Sequence, residues 1–248
     1  MITLKTDAEI ALMRESGRLT KNVLDLIGKS IREGMTTKDL DRIAYDYITS
    51  CGATPSFLGY NGFPASICSS IDEAVVHGIP SDDVVIKNGQ IVSIDVGVIY
   101  NGWQGDAART FMVGEVSEEK KKLVKVTEEC FFKAVERLRD GTPLGDIGYA
   151  VQTHAEANGF SVVRALVGHG IGREMHEDPS VPNFGKKGTG IRLKKGMCLA
   201  IEPMINAGTY QVDFLSDGWS VLTRDRRPSA HYENTVAITE DGVEILTL

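Results

Sequence analysis

Residues 92–106 of the chain read VSIDVGVIYNGWQGD, a stretch with the pattern of a β-hairpin. Branched apolar residues alternate with Ser, Asp and Gly, as they do in a strand that buries one face. Asn101-Gly102 is a strong signal for a two-residue turn, so a return strand is predicted over about 105–113. Pairing across this turn makes Asp95 and Asp106 diagonal neighbours on one face, about 7–8 Å apart at the backbone, where their carboxylates can converge.

Two converging carboxylates repel each other, which raises the pKa of one of them unless a cation lies between them. Taken alone, Asp95 and Asp106 are equally compatible with a solvated strand face that carries acids. Further potential ligands favour the cation: Glu202 and Glu233 lie in strand-like segments, and His169 lies between glycines that leave space around an imidazole. Four carboxylates and one imidazole suit one or two divalent ions such as Mn, Fe or Co, rather than a cysteine-rich zinc site.

Helices are predicted on either side of the hairpin. Thr6-x-x-Glu9 is a capping-box pattern that opens a first helix, and a second helix follows Met35-Thr36-Thr37 and stops at Gly52. Ser117 can cap a third helix. Thr142-Pro143 is predicted to open a fourth helix, with the proline at a position where its missing N–H costs nothing.

The chain carries an internal repeat with an offset of 107 residues. The offset relates the glycines that end the second and fourth predicted helices, and it relates Asp95 to Glu202. Residues 1 to about 114 and 115 to 248 are therefore predicted to be two copies of one helix-helix-strand unit. In a duplicated chain, a site shared across the pseudo-twofold axis is the natural expectation.

The composition argues against a DNA-binding, secreted, membrane-spanning or disulfide-rich protein. The chain has 27 basic and 34 acidic residues, a net charge of −7, which argues against a DNA partner bound through a general basic field. The N-terminus lacks the basic region and apolar run of a signal peptide. The longest charge-free stretch, residues 51–71, contains two prolines, so no membrane partner is predicted. Four cysteines without CxxC spacing indicate no disulfide framework. We therefore expect a cytoplasmic protein and, since no feature demands a partner subunit, a monomer.

Several short motifs lie around the candidate ligands. They are Asp95 and Asp106 separated by ten residues, GHGIG at 168–172, AIEP at 200–203, YENT at 232–235, VHGIP at 76–80 and DGW at 217–219. Each motif is weak alone, but their combination is very specific, and over essentially the whole chain it resembles the methionine aminopeptidase family.

This resemblance implies an α+β fold of the pita-bread (creatinase/aminopeptidase) type, with two pseudo-twofold-related halves around a central antiparallel sheet. It also implies a single catalytic domain over residues 1–248. The short interval between Glu202 and Glu233 leaves no room for the helical insertion of the family's second type. No zinc-binding extension precedes the repeat, so the chain resembles the short bacterial form of the first type.

Residue by residue, the resemblance implies two divalent metal ions, with Mn, Fe, Co and Zn as candidates. The metal ligands it implies are Asp95, Asp106, His169, Glu202 and Glu233. Asp106 and Glu233 would bridge both ions, and Glu202 would also exchange protons with the attacking hydroxide as a catalytic residue. The catalytic histidines it implies are His176, which would contact the scissile carbonyl, and His77, which would reach the departing amide.

The resemblance also implies an apolar, polarisable pocket suited to an unbranched thioether. Without the resemblance, the same side chains are equally compatible with core packing. The substrate-binding residues it implies are Tyr60, Phe63, Cys68, Trp219, His77 and His176, with Phe57 and Met175 nearby. The sequence departs from the enterobacterial pattern at Phe57, Asn61, Gln104, Met175 and Asn234.

A monovalent cation is compatible with the resemblance at the loop from Asp72 to Ala74 and Ser229, although Asp72 stands where an Asn is usual. Two small basic clusters, Lys120–Lys122 and Arg224–Arg227, leave ribosome docking open as an alternative to solvated surfaces.

The activity that the resemblance implies is removal of the N-terminal methionine from nascent proteins and peptides when the second residue is small. Hydroxide bound to the metal would attack the methionine carbonyl, and nascent polypeptide N-termini would be the partners. One alternative is an X-Pro peptidase, which uses the same five ligands but usually carries a sizeable N-terminal domain. The other is an inactive module of the same fold that binds protein or RNA.

Overall fold

The computed structural model describes residues 1–248 as four α-helices, one short 3-10 turn at Tyr60–Gly62 and fifteen strands. The helices are α1 (Asp7–Ser30), α2 (Thr37–Ser50), α3 (Glu118–Val135) and α4 (Gly145–Ala157). The strands are β1 (Thr54–Pro55), β2 (Ile67–Ile71), β3 (Ala74–Val76), β4 (Gln90–Tyr100), β5 (Trp103–Val113), β6 (Ser161–Val162), β7 (Gly168–Gly170), β8 (Glu177–Val181), β9 (Cys198–Ile201), β10 (Met204–Asn206), β11 (Val212–Phe214), β12 (Val221–Thr223), β13 (Ser229–His231), β14 (Glu233–Thr239) and β15 (Gly242–Ile245).

A nine-stranded sheet forms the centre of the molecule. Its main path runs β1-β4-β5-β14-β9-β7-β8, while β2 also pairs with β4 and β15 with β14. Two three-stranded sheets, β13-β10-β6 and β11-β12-β3, flank it. Every pairing in the central sheet is antiparallel, as predicted.

The predicted hairpin is confirmed as β4 and β5. Asp95 pairs with Ala108 and Gly97 pairs with Asp106, which is the register expected from a two-residue turn. Asn101 and Gly102 have φ values of 51° and 78°, the left-handed conformation that a type I′ turn requires at both positions.

Alternation along β4 separates the core from the site. Val92, Ile94, Val96 and Val98 are fully buried in a cluster of 17 residues that includes apolar side chains of α1 and α2. Asp95 lies between two of them and points to the opposite face. In β9, Leu199 and Ile201 join the 26-residue cluster around α3 and α4. One face of the sheet thus packs on helices, and the other carries the acids.

The first three helices begin as predicted. Thr6 and Glu9 form the full capping box of α1, and Thr36 and Asp39 form one at α2. The hydroxyl of Ser117 caps α3. None of the four helices has the length and hydropathy needed to cross a bilayer.

The predicted start of the fourth helix is wrong. Helix α4 begins at Gly145, and Pro143 lies outside it, opposite Arg192 in an isolated bridge. The Leu144 N–H donates to the Ile191 carbonyl, and the Leu193 N–H donates to the Thr142 carbonyl, both at 2.8 Å. Pairing with a segment distant in sequence therefore accompanies a helix start two residues later than predicted.

Gly17, inside α1, allows the helix to approach the C-terminal segment closely. A Cβ at this position would lie 2.2 Å from the carbonyl oxygen of Leu246. We expect Gly17→Ala to lower the free energy of unfolding by about 1–3 kcal/mol, as overpacking does. Helix propensity alone would instead raise it by roughly 0.5–1 kcal/mol. Urea denaturation distinguishes the two, with Glu15→Ala on the exposed face of α1 as the control; a more stable Gly17→Ala would contradict the close packing.

Candidate metal centre

A cavity of about 370 Å³ lies on the acidic face of the central sheet. It brings together all the residues that the sequence analysis assigned to catalysis, metal binding and substrate binding. The lining residues are Phe57, Tyr60, Asn61, Phe63, Cys68, His77, Asp95, Asp106, His169, His176, Glu202, Trp219 and Glu233.

The five candidate ligands come from five consecutive strands of the sheet. Asp95 lies on β4 and Asp106 on β5, Glu233 begins β14, Glu202 directly follows β9, and His169 is the middle residue of β7. Neighbouring strands are about 4.8 Å apart, so side chains that leave adjacent strands on one face can meet above the sheet. Each ligand is therefore positioned by a strand on which it lies or which it directly follows.

Asp106 and Glu233 are buried, Asp95 and Glu202 are partly buried, and all four carboxylates make few hydrogen bonds. Asp95 Oδ1, Asp106 Oδ1 and Glu233 Oε1 have no hydrogen-bond partner. Burial raises the pKa of Asp95 to about 7 and raises the pKa values of Asp106, Glu202 and Glu233 well above their ordinary range. Mutual repulsion adds to this effect, since a nearby carboxylate also raises each of these last three pKa values. Such a cluster fits divalent cations, which would supply the missing partners and restore the charged forms.

His169 is oriented as a ligand. Its Nδ1 is 2.9 Å from the carbonyl oxygen of Gly170, so Nδ1 carries the proton and Nε2 keeps a free lone pair. Nε2 lies 3.8 Å from Asp106 Oδ2 and 3.7 Å from Glu202 Oε1. Burial lowers the pKa of His169 to about 4, which keeps the imidazole neutral and able to bind a metal.

The two histidines predicted to be catalytic lie beside this cluster. His176 Nδ1 is 2.8 Å from the Tyr60 hydroxyl, and its ring centroid is 4.2 Å from that of His169. His77 has a left-handed φ of 60°, in a turn that follows β3. Burial lowers the pKa of both His77 and His176, so both are neutral near pH 7.

Another part of the cavity lining is apolar. Phe63 and Trp219 make an edge-to-face contact with centroids 5.0 Å apart. Cys68 on β2 pairs with Asp95, and burial raises the pKa of its thiol well above the ordinary value, so it stays protonated. Trp219 is oriented by Asp217, whose carboxylate accepts from the backbone N–H groups of Trp219 and Ser220.

Most of the unusual residues noted in the sequence lie outside the cavity. Phe57 and Asn61 line it, whereas Met175 is buried in a cluster with Phe57 and Tyr60 at its edge. Gln104 accepts a hydrogen bond from Ser56. Asn234 accepts hydrogen bonds from the side chains of Arg109 and Thr247, a contact that holds the C-terminal segment.

Two other predicted features involve Lys120. Its Nζ is 2.6 Å from Asp72 Oδ1 and 2.7 Å from the Gly89 carbonyl oxygen. In the Asp72–Ala74 loop, where a monovalent cation was considered, the Asp72 carboxylate thus already contacts the Lys120 ammonium group. The carbonyl oxygen of Asp72 accepts from the Ser229 N–H at 2.8 Å.

Sequence reasoning did not assign a role to His231, which the structure brings to the carboxylates. It is 2% exposed, and its Nε2 is 3.7 Å from Glu233 Oε2. The signal was present, because residues two apart on an extended chain share a face. His231 precedes Glu233 by two positions, while Tyr232 packs on the other side against Phe131.

Comparison with known proteins gives one family. Residues 11–240 match the sequence profile described as metallopeptidase family M24. The chain is 55% identical to a methionine aminopeptidase of Clostridium acetobutylicum, covering 100% of this chain and 99% of that protein. It is 49% identical to methionine aminopeptidase 1 of Bacillus subtilis, covering 100% of this chain and 99% of that protein.

Solved structures agree with the predicted pita-bread fold. The crystal structure of methionine aminopeptidase from Rickettsia prowazekii superposes with a TM-score of 0.98 at 47% identity and covers 100% of both chains. An Xaa-Pro dipeptidase from Bacillus anthracis has a TM-score of 0.78 at 23% identity, over 98% of this chain and 61% of that one. The second likeness shows the fold alone.

Because the pKa values of the four carboxyl groups are raised, we expect the free energy of unfolding of the metal-free protein to depend on pH. A carboxyl whose pKa is raised by folding stabilises the folded state below its unfolded pKa, and this contribution is lost as pH rises through the folded pKa, about 7 for Asp95. His169 and His231 have lowered pKa values, so their contribution makes the folded state more stable as pH rises. This contribution changes with pH only below about 6.5, the ordinary pKa of histidine. Above that pH the carboxyl effect remains, and near pH 8 the thiols of Cys68, Cys130 and Cys198, whose pKa values burial also raises, begin to add to it in the same direction.

Between pH 6.5 and about 8.5, we therefore expect the metal-free protein to lose stability as pH rises. The loss is about 1.4 kcal/mol per pH unit for each proton that the folded state retains and the unfolded state has released. Saturating Mn²⁺ removes the carboxyl part of this slope because the ions compensate the carboxylates. Calorimetric unfolding measures it, and Asp95→Asn serves as a neutral, isosteric control with a reduced slope. A flat profile for the metal-free protein would contradict burial of the acids.

Proposed function

The chain belongs to metallopeptidase family M24, and from that premise we propose that it removes the N-terminal methionine of nascent proteins and peptides as a type I methionine aminopeptidase. The observation that carries the proposal is a single cavity with two kinds of lining. The carboxylates and histidines form one part of it, and Phe63, Cys68 and Trp219 form an apolar cluster beside them. Such a cavity suits a substrate with an apolar side chain next to the bond to be hydrolysed.

We assign two divalent ions to Asp95, Asp106, His169, Glu202 and Glu233. When bound, such ions act as Lewis acids and lower the pKa of water. The formal charge of the four carboxylates balances two divalent cations. Oxygen ligands with imidazole are compatible with Mn, Fe, Co and Zn, so the proposal concerns the class of ion rather than one metal.

Glu202 is proposed to move the proton. Its side chain lies at the cavity wall and is largely shielded from solvent. A carboxylate placed there can accept a proton from the attacking water and later deliver it to the departing amine. Its position at the end of β9, beside His169, fits this exchange.

His176 is proposed to stabilise the oxyanion. When the Tyr60 hydroxyl donates to Nδ1 across the 2.8 Å contact, the ring proton lies on Nε2. His176 can then donate from Nε2 to the methionine carbonyl oxygen, an interaction that strengthens as negative charge develops. His77, neutral and held in its turn, is assigned to the departing amide.

The apolar cluster is proposed to select methionine. The thioether of an unbranched side chain makes favourable contacts with aromatic edges, and Phe63 and Trp219 provide them. The Cys68 thiol, kept protonated by burial, adds a polarisable wall without charge. We also propose that the second residue of the substrate peptide must be small.

The proposed partner is a nascent polypeptide N-terminus, met by a monomer in the cytoplasm. Ribosome docking receives little support from the basic clusters, because several of their side chains are engaged within the chain. Lys120 pairs with Asp72, Arg224 with Asp213, and Arg227 with Glu119. We therefore leave docking out of the proposal.

Peptide hydrolysis tests the activity. Metal-stripped protein is titrated with Mn²⁺, and free amino acids are measured with Met-Ala-Ser, Met-Leu-Ser and Ala-Pro-Ser. We expect methionine from Met-Ala-Ser alone, restored by metal and absent in Asp106→Asn. Cleavage of Ala-Pro-Ser instead would assign the chain to the X-Pro branch, and no turnover with any metal would favour a binding module.

His176 and Tyr60 give a test of the oxyanion assignment. Loss of one oxyanion donor lowers kcat by about 100-fold or more, so we expect that loss in His176→Ala with little change in KM. Tyr60→Phe, which removes only the hydroxyl, should lower kcat less and shift the pH profile, because the tautomer of His176 is no longer held. Steady-state kinetics with Met-Ala-Ser measures both. A change confined to KM would assign His176 to substrate binding only.

A further inference from the structure

His231 is a second buried imidazole directed at the carboxylate cluster. Its Nε2 has no hydrogen-bond partner and lies 3.7 Å from Glu233 Oε2 and 3.9 Å from Glu202 Oε2. An unpaired polar atom at this depth is rare in folded proteins and requires an explanation.

The distances are those of two ligands that share an ion. They are too long for hydrogen bonds, which end near 3.2 Å. Nitrogen and oxygen donors that each lie about 2.0–2.2 Å from one ion are separated by roughly 3 Å when the angle at the ion is 90°, and by up to about 4.2 Å when it is wider. His169 Nε2 has the same relation to its carboxylates, at 3.8 Å from Asp106 and 3.7 Å from Glu202. The two imidazoles therefore approach the cluster in the same way.

The potential ligands fall into two groups that share Glu233. One group is Asp106, His169 and Glu233, and the other is Asp95, His231 and Glu233; within each group the ligand atoms lie within 4.8 Å of one another. Each group offers one aspartate, one imidazole and the shared glutamate. The pattern provides one nitrogen donor for each of two ions.

Backbone contacts hold His231 in place without using its ring. Its N–H donates to Thr110 Oγ1 at 3.0 Å, and its carbonyl accepts from the same hydroxyl at 2.8 Å. On its other side it pairs with Met204 of β10. Thr110 lies on β5, the strand of Asp106, so the imidazole is fixed relative to the ligands while Nε2 stays free.

We propose that His231 is a direct metal ligand, through Nε2, of the ion on the Asp95 side of the centre. This inference rests on the proposed ligand set and adds a sixth ligand to it. With an imidazole, the Asp95 side favours borderline ions such as Co²⁺, Fe²⁺ and Zn²⁺ over the hard ions Mn²⁺ and Mg²⁺. A ring that only fills space, or only donates to the carboxylates, would not have this effect.

Cobalt binding tests the proposal without relying on turnover. Each imidazole bound to Co²⁺ gives a strongly shifted exchangeable N–H signal in the proton NMR spectrum. With two equivalents of Co²⁺ we expect two such signals in the unaltered protein and one in His231→Gln or His169→Gln. His154→Gln on α4, whose imidazole contacts Glu129 away from the centre, is the control and keeps both signals.

Calorimetric titration gives the matching affinities. We expect His231→Gln to weaken one of the two Co²⁺ sites by at least about tenfold and to leave the other unchanged. Glutamine retains an N–H donor, so unchanged affinity at both sites with both signals present would overturn direct ligation. A single shifted signal in the unaltered, doubly loaded protein would overturn it without any variant, and circular dichroism of the metal-free variant verifies its fold.

The two proposals fail in different ways. If the unaltered protein does not release methionine from Met-Ala-Ser with any metal, the proposed function fails. If it does release methionine, yet His231→Gln binds two Co²⁺ ions as the unaltered protein does, only the role of His231 is lost.

Discussion

The mutual repulsion of four carboxylates that line one cavity is the dominant physical constraint in this structure. Three of their oxygens have no hydrogen-bond partner, and burial raises the pKa of each group. Without cations, such a cluster is held charged only at a cost, since removing a carboxylate from water is expensive. The fold must therefore supply rigidity enough to keep the acids together, and it must leave room for the ions that stabilise them.

The adjacent, hydrogen-bonded strands of the central sheet provide that rigidity. Each candidate ligand lies on or directly beside a different strand of the central sheet, and two apolar clusters of 26 and 17 residues support the sheet from the helical side. Ligand positions are thus set by backbone hydrogen bonds and core packing rather than by loops. The same strand alternation that buries Val96 directs Asp95 into the cavity, so the core and the site are consequences of one pattern.

The sequence was least informative where segments distant in the chain meet. Pro143 was predicted at the start of a helix, yet it lies outside the helix in a segment that pairs with residues 191–193. No role was assigned to His231 from the sequence. Its unpaired Nε2 becomes evident only when Glu202 and Glu233 are placed around it. Met175 was expected near the pocket, and it packs beneath the wall instead of lining it.

Local rules were sufficient for the elements themselves. Capping boxes, the Asn101-Gly102 turn and the period-two pattern determined the first helices, the hairpin and its register, because each depends on residues close in sequence. Spacing predicted the convergence of Asp95 and Asp106, the internal repeat related Glu202 to Asp95, and the family resemblance completed the set with His169 and Glu233. Only the tertiary structure decided which oxygens lack partners, how deeply each acid is buried and that a sixth donor faces them. Those properties depend on contacts between strands far apart in the chain, which no local pattern encodes.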